Sequence, residues 1–438
     1  MQTASKKVVN GWAMYDWANS VYNLVITTSF FPIYFTAITK SAYGENSVPF
    51  LGRTFKNSSL YDYALAFAYL LIALLLPILS SIADSRGNKK KFMQFFCYLG
   101  GFACIGLFFF KGDQPNVLLG IACFVLAAIG YIGSLVFYNS YLPEIAAPED
   151  RDRISAKGFS MGYIGSVILQ VIGFALVMYF DGKGDSTSGP LYTFLLVGLW
   201  WIAFAQITFA RLPASKPAVI KHDKNIFTEG FVELNKVWKQ LTHIPVLKRF
   251  LAGFFFYSMG VQTVMLAATI FGDQVLHLPA TKLIVTVVLI QLVAIAGANL
   301  MAKFSAKYGN IKVLITVVMF WILICVAAYF IADMAEQGIN AEYGFYGLAI
   351  AVGLVMGGIQ SLSRSTYSKL MPETRDTASF FSFYDVTEKI AIVIGMFSFG
   401  FIDELAGMKN SVLALIVFFA LGLIGLFSAL RKQNLHTA

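Results

Sequence analysis

The heptapeptide YNSYLPE at residues 138–144 has a counterpart, YSKLMPE, at residues 367–373. The tyrosine, the proline and the glutamate are the same in both copies, at a constant separation of 229 residues. Each copy closes a long apolar stretch and precedes a short charged turn. Because internal repeats of this kind are typical of duplicated membrane bundles, the pair predicts that the two halves of the chain share one fold.

Two further connections match. The charged turns share an arginine, an aspartate and a serine, which are Arg151, Asp152 and Ser155 in the first turn and Arg375, Asp376 and Ser379 in the second. The turn DSRGNKK at 84–90 corresponds to AKYGNIK at 306–312, with Gly-Asn at the same place in each. Three matches in corresponding connections indicate a parallel duplication.

Composition places both halves in a membrane. Of the 438 residues 58% are hydrophobic and only 13% are charged, and the mean hydropathy is +0.69, so the chain has too little polar surface for a soluble protein. A spanning helix needs about 20 apolar residues. The predicted spans are residues 12–38, 60–83, 92–110, 116–142, 158–180, 191–211, 250–272, 281–303, 311–333, 344–370, 380–403 and 411–430.

The basic residues predict the orientation. When the connections are taken alternately, 25 of the 33 lysines and arginines lie on the side of the N-terminus and seven lie on the opposite side, while Lys389 lies inside a span. Basic residues near helix ends resist translocation, so both termini are expected in the cytoplasm. The same partition accounts for most of the net charge of +9, and nucleic acid is not expected as a partner.

The one long cytoplasmic connection is residues 213–249. It begins with two prolines, and from about Phe227 to Phe250 apolar residues recur at helical spacing among lysines. This pattern predicts an amphipathic helix, which either lies on the inner membrane surface and braces two bundles or serves as a partner or regulatory site. The predicted domains are therefore a bundle at 1–212, this linker, and a bundle at 250–438.

The six-plus-six arrangement and the turn at 84–90 resemble the major facilitator superfamily. The resemblance implies an all-α membrane protein with 12 transmembrane helices in two pseudo-symmetric six-helix bundles, which rock around a central cavity. It also implies a cytoplasmic gate, carried onto Asp84, Gly87, Lys89 and Lys90. A carboxylate in such a turn can meet the unpaired donors of a helix N-terminus.

Longer stretches resemble the vacuole effluxer-like branch of that superfamily. They are NGWAMYDWANSVYNLVITT at 10–28, FYSMGVQT at 256–263, GGIQSLSRSTYSKLMPE at 357–373 and FYDVTEKIAIVIG at 383–395. The branch includes fungal autophagy-related amino-acid effluxers and many bacterial proteins. The resemblance therefore implies a bacterial inner-membrane transporter of amino acids or a related small polar solute, with efflux ahead of uptake.

Polar residues inside the first span are candidates for the site. Asp16, Asn19 and Asn23 lie at i, i+3 and i+7 and so share one helical face. A charge at the bilayer centre costs about 2.5–3.5 kcal/mol, so such residues usually face partners or water. They either line a substrate cavity, with Asp16 exchanging protons, or form hydrogen bonds to neighbouring helices as a scaffold.

Span eleven carries Asp385, Glu388 and Lys389, at a depth that agrees with Arg364 on span ten. We predict that these four charges form a network. Three roles remain open: a structural network, a site for a substrate carboxylate at Arg364 or Lys389, and a proton-linked gate that uses Asp385 or Glu388. Gln262 and Gln360 are further candidates for the wall of the cavity.

No phosphate-cradling loop is apparent in the sequence, so the energy for transport is expected to come from a gradient, with protons as the coupling ion. We expect a monomer that binds a small molecule and has no catalytic residue, cofactor or metal. A lipid, amphiphile or drug carrier of the same fold is the nearest alternative, and a non-transporting receptor or a membrane enzyme is a remote one.

Overall fold

The computed structural model describes residues 2–44, 47–214 and 226–437, most of which are helical. The helices of the first half are α1 (Lys6–Val21), α2 (Phe31–Tyr43), α3 (Asn57–Arg86), α4 (Lys89–Gly106), α5 (Val117–Ser140), α6 (Leu142–Ile145), α7 (Arg151–Asp181) and α8 (Ser188–Arg211). Those that follow are α9 (Ile226–His243), α10 (Pro245–Gln274), α11 (Ala280–Tyr308), α12 (Asn310–Glu336), α13 (Glu342–Leu370), α14 (Thr377–Ala406) and α15 (Met408–Thr437). Short 3₁₀ turns occupy Leu107–Phe109 and Pro148–Asp150.

Each predicted span coincides with helical structure, and the prediction of an all-helical membrane protein is confirmed. The count of twelve is not. Within the described residues ten helical segments are long and apolar enough to cross a bilayer, and the bent pair of α9 and α10 would add an eleventh. Helix α14 is outside that count because five ionisable side chains lie along its 30 residues.

The first span is not a uniform α-helix. Residues Tyr22–Phe30, between α1 and α2, form a π-helix, whose wider turn is frequent at functional sites. The hydroxyls of Thr28 and Ser29 both donate to the carbonyl of Leu24, at 2.9 and 3.1 Å. Pro32, which has no amide hydrogen to donate, lies in the first turn of α2.

The repeated Gly-Asn turns have a common physical cause. Gly87 ends α3 with a φ of 66°, a left-handed conformation that glycine adopts without strain. The amide of Asn88 then donates to the carbonyl of Ala83 at 2.9 Å, which closes the helix end. Gly309 has a φ of 89° between α11 and α12. The chain reverses sharply at both places.

A short hairpin between α2 and α3 was not expected from the sequence. Strands β1 (Val48–Phe50) and β2 (Arg53–Phe55) pair antiparallel, with Val48 opposite Phe55. Leu51 and Gly52 at the turn have φ values of 48° and 77°. Two successive left-handed residues give the turn type that favours tight hairpins.

The chain packs as two compact units. The amino-terminal unit consists of Ser5–Asn139 and Met161–Lys221, and the carboxy-terminal unit consists of Met1–Ala4, Ser140–Ser160 and His222–Ala438. The connection between α5 and α7 therefore packs with the later helices, although it comes early in the chain. The halves at 1–212 and 250–438 stay a prediction about the repeat, and residues 215–225 of the predicted linker lie outside the described residues.

Helix α9 is the helix expected in the linker. It ends at His243 rather than continuing to Phe250, because Ile244 has an extended conformation, with φ −99° and ψ 95°, and Pro245 follows it. A residue that precedes proline is disfavoured in the helical conformation. The linker is therefore a separate helix that meets α10 at a corner.

Candidate functional site

The carboxyl of Asp16 is buried in the amino-terminal unit, where its residue is 4% exposed. Its Oδ2 accepts a hydrogen bond from the hydroxyl of Tyr138 on α5 at 2.7 Å. Tyr138 is fixed in turn by Trp12, whose ring stacks on it at 4.4 Å and whose Nε1 donates to its carbonyl at 2.9 Å. The tyrosine that marks the sequence repeat thus also positions the acid of the first span.

Asn19 lies one turn after Asp16 and is completely buried. Neither its Nδ2 nor its Oδ1 has a hydrogen-bond partner among the described residues. A buried polar group without a partner costs about 1–3 kcal/mol, and most buried polar groups in proteins are paired. The amide of Asn19 therefore has hydrogen-bonding capacity that the described part of the chain does not use.

Asn23 differs from the other two members of the predicted stripe. It is only half-buried and lies in the π-helical segment. Farther along the same segment, Ser29 accepts a hydrogen bond from Nε2 of Gln170 on α7 at 2.8 Å. The three polar residues of the first span therefore have different environments. Asp16 is hydrogen-bonded, Asn19 is buried without a partner among the described residues, and Asn23 is partly exposed.

Two glycines let α7 approach α1 closely. A Cβ atom at Gly162 would lie 2.4 Å from the Oγ of Ser20, and one at Gly165 would lie 2.8 Å from the carbonyl oxygen of Trp17. The hydroxyl of Ser20 can rotate away from a side chain at position 162, whereas the carbonyl of Trp17 cannot, so the close contact requires glycine at position 165. Small residues commonly permit such close approach of membrane helices.

In the carboxy-terminal unit Glu388 is bonded from both sides. Lys389 donates to its Oε2 at 2.6 Å, and Gln262 on α10 donates to its Oε1 at 3.2 Å. The side chains of Glu388 and Lys389 are 18% and 7% exposed. The structure thus pairs Lys389 with the acid that directly precedes it in the chain.

Arg364 is buried, and its Nε and one terminal nitrogen donate to Oγ and the carbonyl of Ser155, each at 2.9 Å. Its guanidinium also lies 4.2 Å from the ring centre of Phe159. Asp385 is buried as well, and Arg364, Asp385 and Glu388 all lie within electrostatic range of Tyr384. Three of the four predicted charges thus lie near Tyr384, and their joint network stays a prediction; Gln360 is half-buried.

The candidate gate residues pack within the amino-terminal unit. Lys89 Nζ lies 3.6 Å from Asp84 Oδ1, and both side chains are buried. Lys90 Nζ donates to the carbonyl of Leu212 at 3.0 Å, which ties the start of α4 to the end of α8. Gly87 supplies the left-handed turn that brings these groups together. Their role as a gate stays a prediction.

A second buried acid was singled out from the sequence only as a repeat landmark. Asp152 accepts hydrogen bonds from Ser305 at 2.7 Å, from Asn310 at 2.7 Å and from Lys369 at 2.6 Å. Its residue is 2% exposed, and all four residues belong to the carboxy-terminal unit. The recurrence of Asp152 and Asn310 in matching turns was the available signal, but it gave no indication of contact.

The carboxy-terminal unit also contains an apolar cavity of about 50 Å³. It lies among α10, α11, α12, α13 and α15. Its lining includes Val264, Phe271, Ile324, Phe345 and Val412. The hydroxyl of Thr286, which also lines it, donates to the carbonyl of Lys282 at 2.8 Å and so is satisfied by its own helix.

Comparisons with known proteins agree with this arrangement. The family model described as "Vacuole effluxer Atg22 like" matches residues 4–435. The uncharacterized MFS-type transporter YxiO of Bacillus subtilis strain 168 is 30% identical over 422 residues, which cover 95% of this chain and 94% of that protein. Autophagy-related protein 22 of Kluyveromyces lactis is 25% identical over 443 residues, covering 91% and 88%.

Among solved structures, the chain resembles the major facilitator superfamily proton:xylose symporter XylE with a TM-score of 0.66. The match covers 96% of this chain and 93% of that one, at 11% sequence identity. At such low identity the likeness shows a common fold and nothing about the solute.

Proposed function

Because this chain belongs to the vacuole effluxer Atg22-like family, we propose that it exports amino acids or a related small polar solute by proton-coupled alternating access. The resemblance found in the sequence is confirmed, and so is the major facilitator fold. The protein is an integral membrane transporter and not an enzyme. Solute, direction, coupling ion, monomeric state and a bacterial inner-membrane orientation with both termini inside are parts of the proposal.

One observation carries the proposal: the buried, unpaired amide of Asn19 lies one turn from the buried carboxyl of Asp16. An amide offers two donors and an acceptor, so it can bind a carboxylate and an ammonium group alike. An amino acid presents both groups. Asp16, held by Tyr138 at 2.7 Å, supplies a titratable group in the same helix and is our proposed coupling residue.

The carboxy-terminal cluster supports a complementary role. Glu388 is bonded by Lys389 and Gln262, and Arg364 is bonded by Ser155. Since these groups already have partners, we assign Gln262 and Glu388 to holding α10 against α14, Arg364 to holding α13 against the start of α7, and Glu388 with Lys389 to a proton-linked gate. Release of Glu388 from Lys389 is the step that such a gate requires.

The proposal is tested with the purified protein in proteoliposomes. A panel of radiolabelled amino acids, peptides, nucleosides and sugars is offered with and without an imposed pH gradient. We expect at least one amino acid to show flux that the gradient accelerates. Absence of gradient-dependent flux for the whole panel would overturn the proposal.

A carrier of lipids or other amphiphiles is the second candidate, because the carboxy-terminal unit encloses the apolar cavity described above. Substitution of Ala349→Phe would fill part of that cavity. If an amphiphile is the solute, this variant loses its transport while Asn19→Leu retains it. The amino-acid proposal predicts the opposite pattern.

A further inference from the structure

The linker helix α9 meets α10 at a sharp corner. The axes of Leu234–His243 and Pro245–Met265 differ by 99°. Helix α10 contains the predicted seventh span, residues 250–272. With α10 crossing the bilayer, the axis of α9 lies nearly parallel to the membrane surface.

Helix α9 packs along one narrow stripe and is exposed over most of its remaining surface. Val237 and Leu241 in the stripe are 0% and 3% exposed, whereas Phe231 and Trp238 are 57% and 51% exposed. Phe231 and Trp238 are seven residues apart, so they lie on the same side of the helix, two turns from each other. The exposed surface beside them continues through Asn235 to Val232, which is 59% exposed. This open face therefore carries an aromatic strip among polar residues.

An exposed lysine borders this face, and a second lies just beyond the corner. Lys239 on α9 and Lys248 in the first turn of α10 are both exposed, and neither forms an ion pair within the described part of the chain. The whole connection at 213–249 contains seven basic and three acidic residues. Exposed aromatic rings bordered by lysines match the interfacial layer of a bilayer that contains anionic lipids.

We propose that α9 is a membrane-binding helix whose open face docks on an anionic phospholipid surface. Phe231 and Trp238 enter the boundary between headgroups and acyl chains, and Lys239 and Lys248 lie against lipid phosphates. The partner is a lipid surface and not a protein, because the bend, the aromatic strip and the positive charge all fit the plane of the bilayer. The proposal does not depend on which solute is transported.

Docking of α9 also fixes the start of α14. Lys236 Nζ lies 3.1 Å from Asp376 Oδ2, and Asp376 directly precedes α14. The ring of Trp238 lies 5.5 Å from that of Phe383 in the second turn of α14. A helix seated on lipid would thus hold the end of the element that carries Glu388.

The test places a fluorophore on two sides of α9 in the full-length protein. The four native cysteines are buried, so an environment-sensitive fluorophore can be attached at Phe231→Cys and, as a matched control, at Gln240→Cys. Gln240 is exposed and lies nine residues from Phe231, on the opposite side of the helix. Each variant is reconstituted into vesicles of phosphatidylcholine alone and into vesicles with three parts in ten of phosphatidylglycerol.

We expect the fluorophore at position 231 to report an apolar environment, and to be quenched by spin-labelled lipid, more strongly in the anionic vesicles. The fluorophore at position 240 should report water in both. Lys239→Gln and Lys248→Gln should each lower the equilibrium constant for binding of α9 to the anionic membrane about fivefold. Equal thermal unfolding in detergent shows that the variants are folded.

Three results would overturn the proposal. In the first, position 231 reports water in both kinds of vesicle, so α9 does not bind the membrane. In the second, it reports the same apolar environment in both, so binding does not depend on anionic lipid. A signal that depends on the protein-to-lipid ratio would show that a second copy of the chain covers the face.

Discussion

The two units treat their buried polar groups differently. In the amino-terminal unit the carboxyl of Asp16 is bonded by a phenol, and the neighbouring amide of Asn19 has no partner among the described residues. In the carboxy-terminal unit both oxygens of Glu388 are bonded, one by a lysine and one by an amide. Asn19 thus keeps donors and an acceptor for a ligand, whereas Glu388 does not. We infer that the Asp16 and Asn19 cluster binds the solute and that the Glu388 cluster stabilises the packing of α10 on α14.

The largest expected effect concerns the acid of the amino-terminal cluster. Asp16→Asn keeps the size of the side chain but removes its proton exchange, so a pH gradient should no longer accelerate flux. Flux with and without the gradient is compared in proteoliposomes. Asp181→Asn, at the exposed end of α7, is the control and should retain the acceleration. If Asp16→Asn also retains it, the coupling role passes to Glu388 or Asp385.

Next in size is the lysine of the carboxy-terminal cluster. Lys389→Met leaves the largely buried carboxylate of Glu388 without its cation, and breaking such a pair costs about 3–5 kcal/mol. The variant should unfold at a clearly lower temperature in detergent. The double variant Glu388→Gln with Lys389→Met should recover most of the loss. A double variant as unstable as the single one contradicts the pairing.

A smaller effect is expected at Asn19, where substitution should lower flux without lowering thermal stability. Asn19→Leu breaks no hydrogen bond within the protein and removes an unpaired amide worth about 1–3 kcal/mol, so thermal stability should hold or rise while flux falls about tenfold. Asn57 is the matched control, because its buried amide donates to Thr39 at 3.0 Å. Asn57→Leu should lower stability and preserve the specific flux of folded protein. Loss of stability in Asn19→Leu would show that the amide is structural.

The smallest effect is expected at Gln262. Its hydrogen bond to Glu388 is 3.2 Å long, and a bond of this kind contributes about 1 kcal/mol. Gln262→Leu should therefore change stability modestly and flux by less than tenfold. A loss of flux as large as that of Asp16→Asn would place Gln262 at the solute and would reverse the division of roles between the clusters.

Sequence periodicity located the long helices because apolar runs leave little freedom inside a bilayer, but it predicted neither the confirmed number of spans nor the hairpin between α2 and α3. Helix ends were located by the repeat at 138–144 and 367–373 and by the two Gly-Asn turns. Each of these turns needs a glycine, because Gly87 and Gly309 both have positive φ angles. The α9 corner could have been placed at Ile244 from Pro245 alone. The π-helical segment has no comparable signal, because residues 22–30 read as ordinary apolar helix.

The site was only partly predictable. The sequence singled out Asp16 and Arg364 as site candidates because charged residues are costly in a membrane. It did not indicate their partners Tyr138 and Ser155, because these contacts depend on packing between segments more than 100 positions apart. The cluster around Asp152 was missed for the same reason.

The π-helical segment at Tyr22–Phe30 has one more consequence. Each of its turns holds one residue more than an α-turn, so deletion of a single residue there could be absorbed by a return to ordinary helix. A deletion within an ordinary α-helix rotates the residues before it by about 100° relative to those after it, whereas tightening of this wide segment would take up the missing residue and leave Asp16 and Asn19 with their present neighbours. The first span can therefore change its length by one residue here without turning its polar face away from α5 and α7, a tolerance that the uniform helices of the chain do not share.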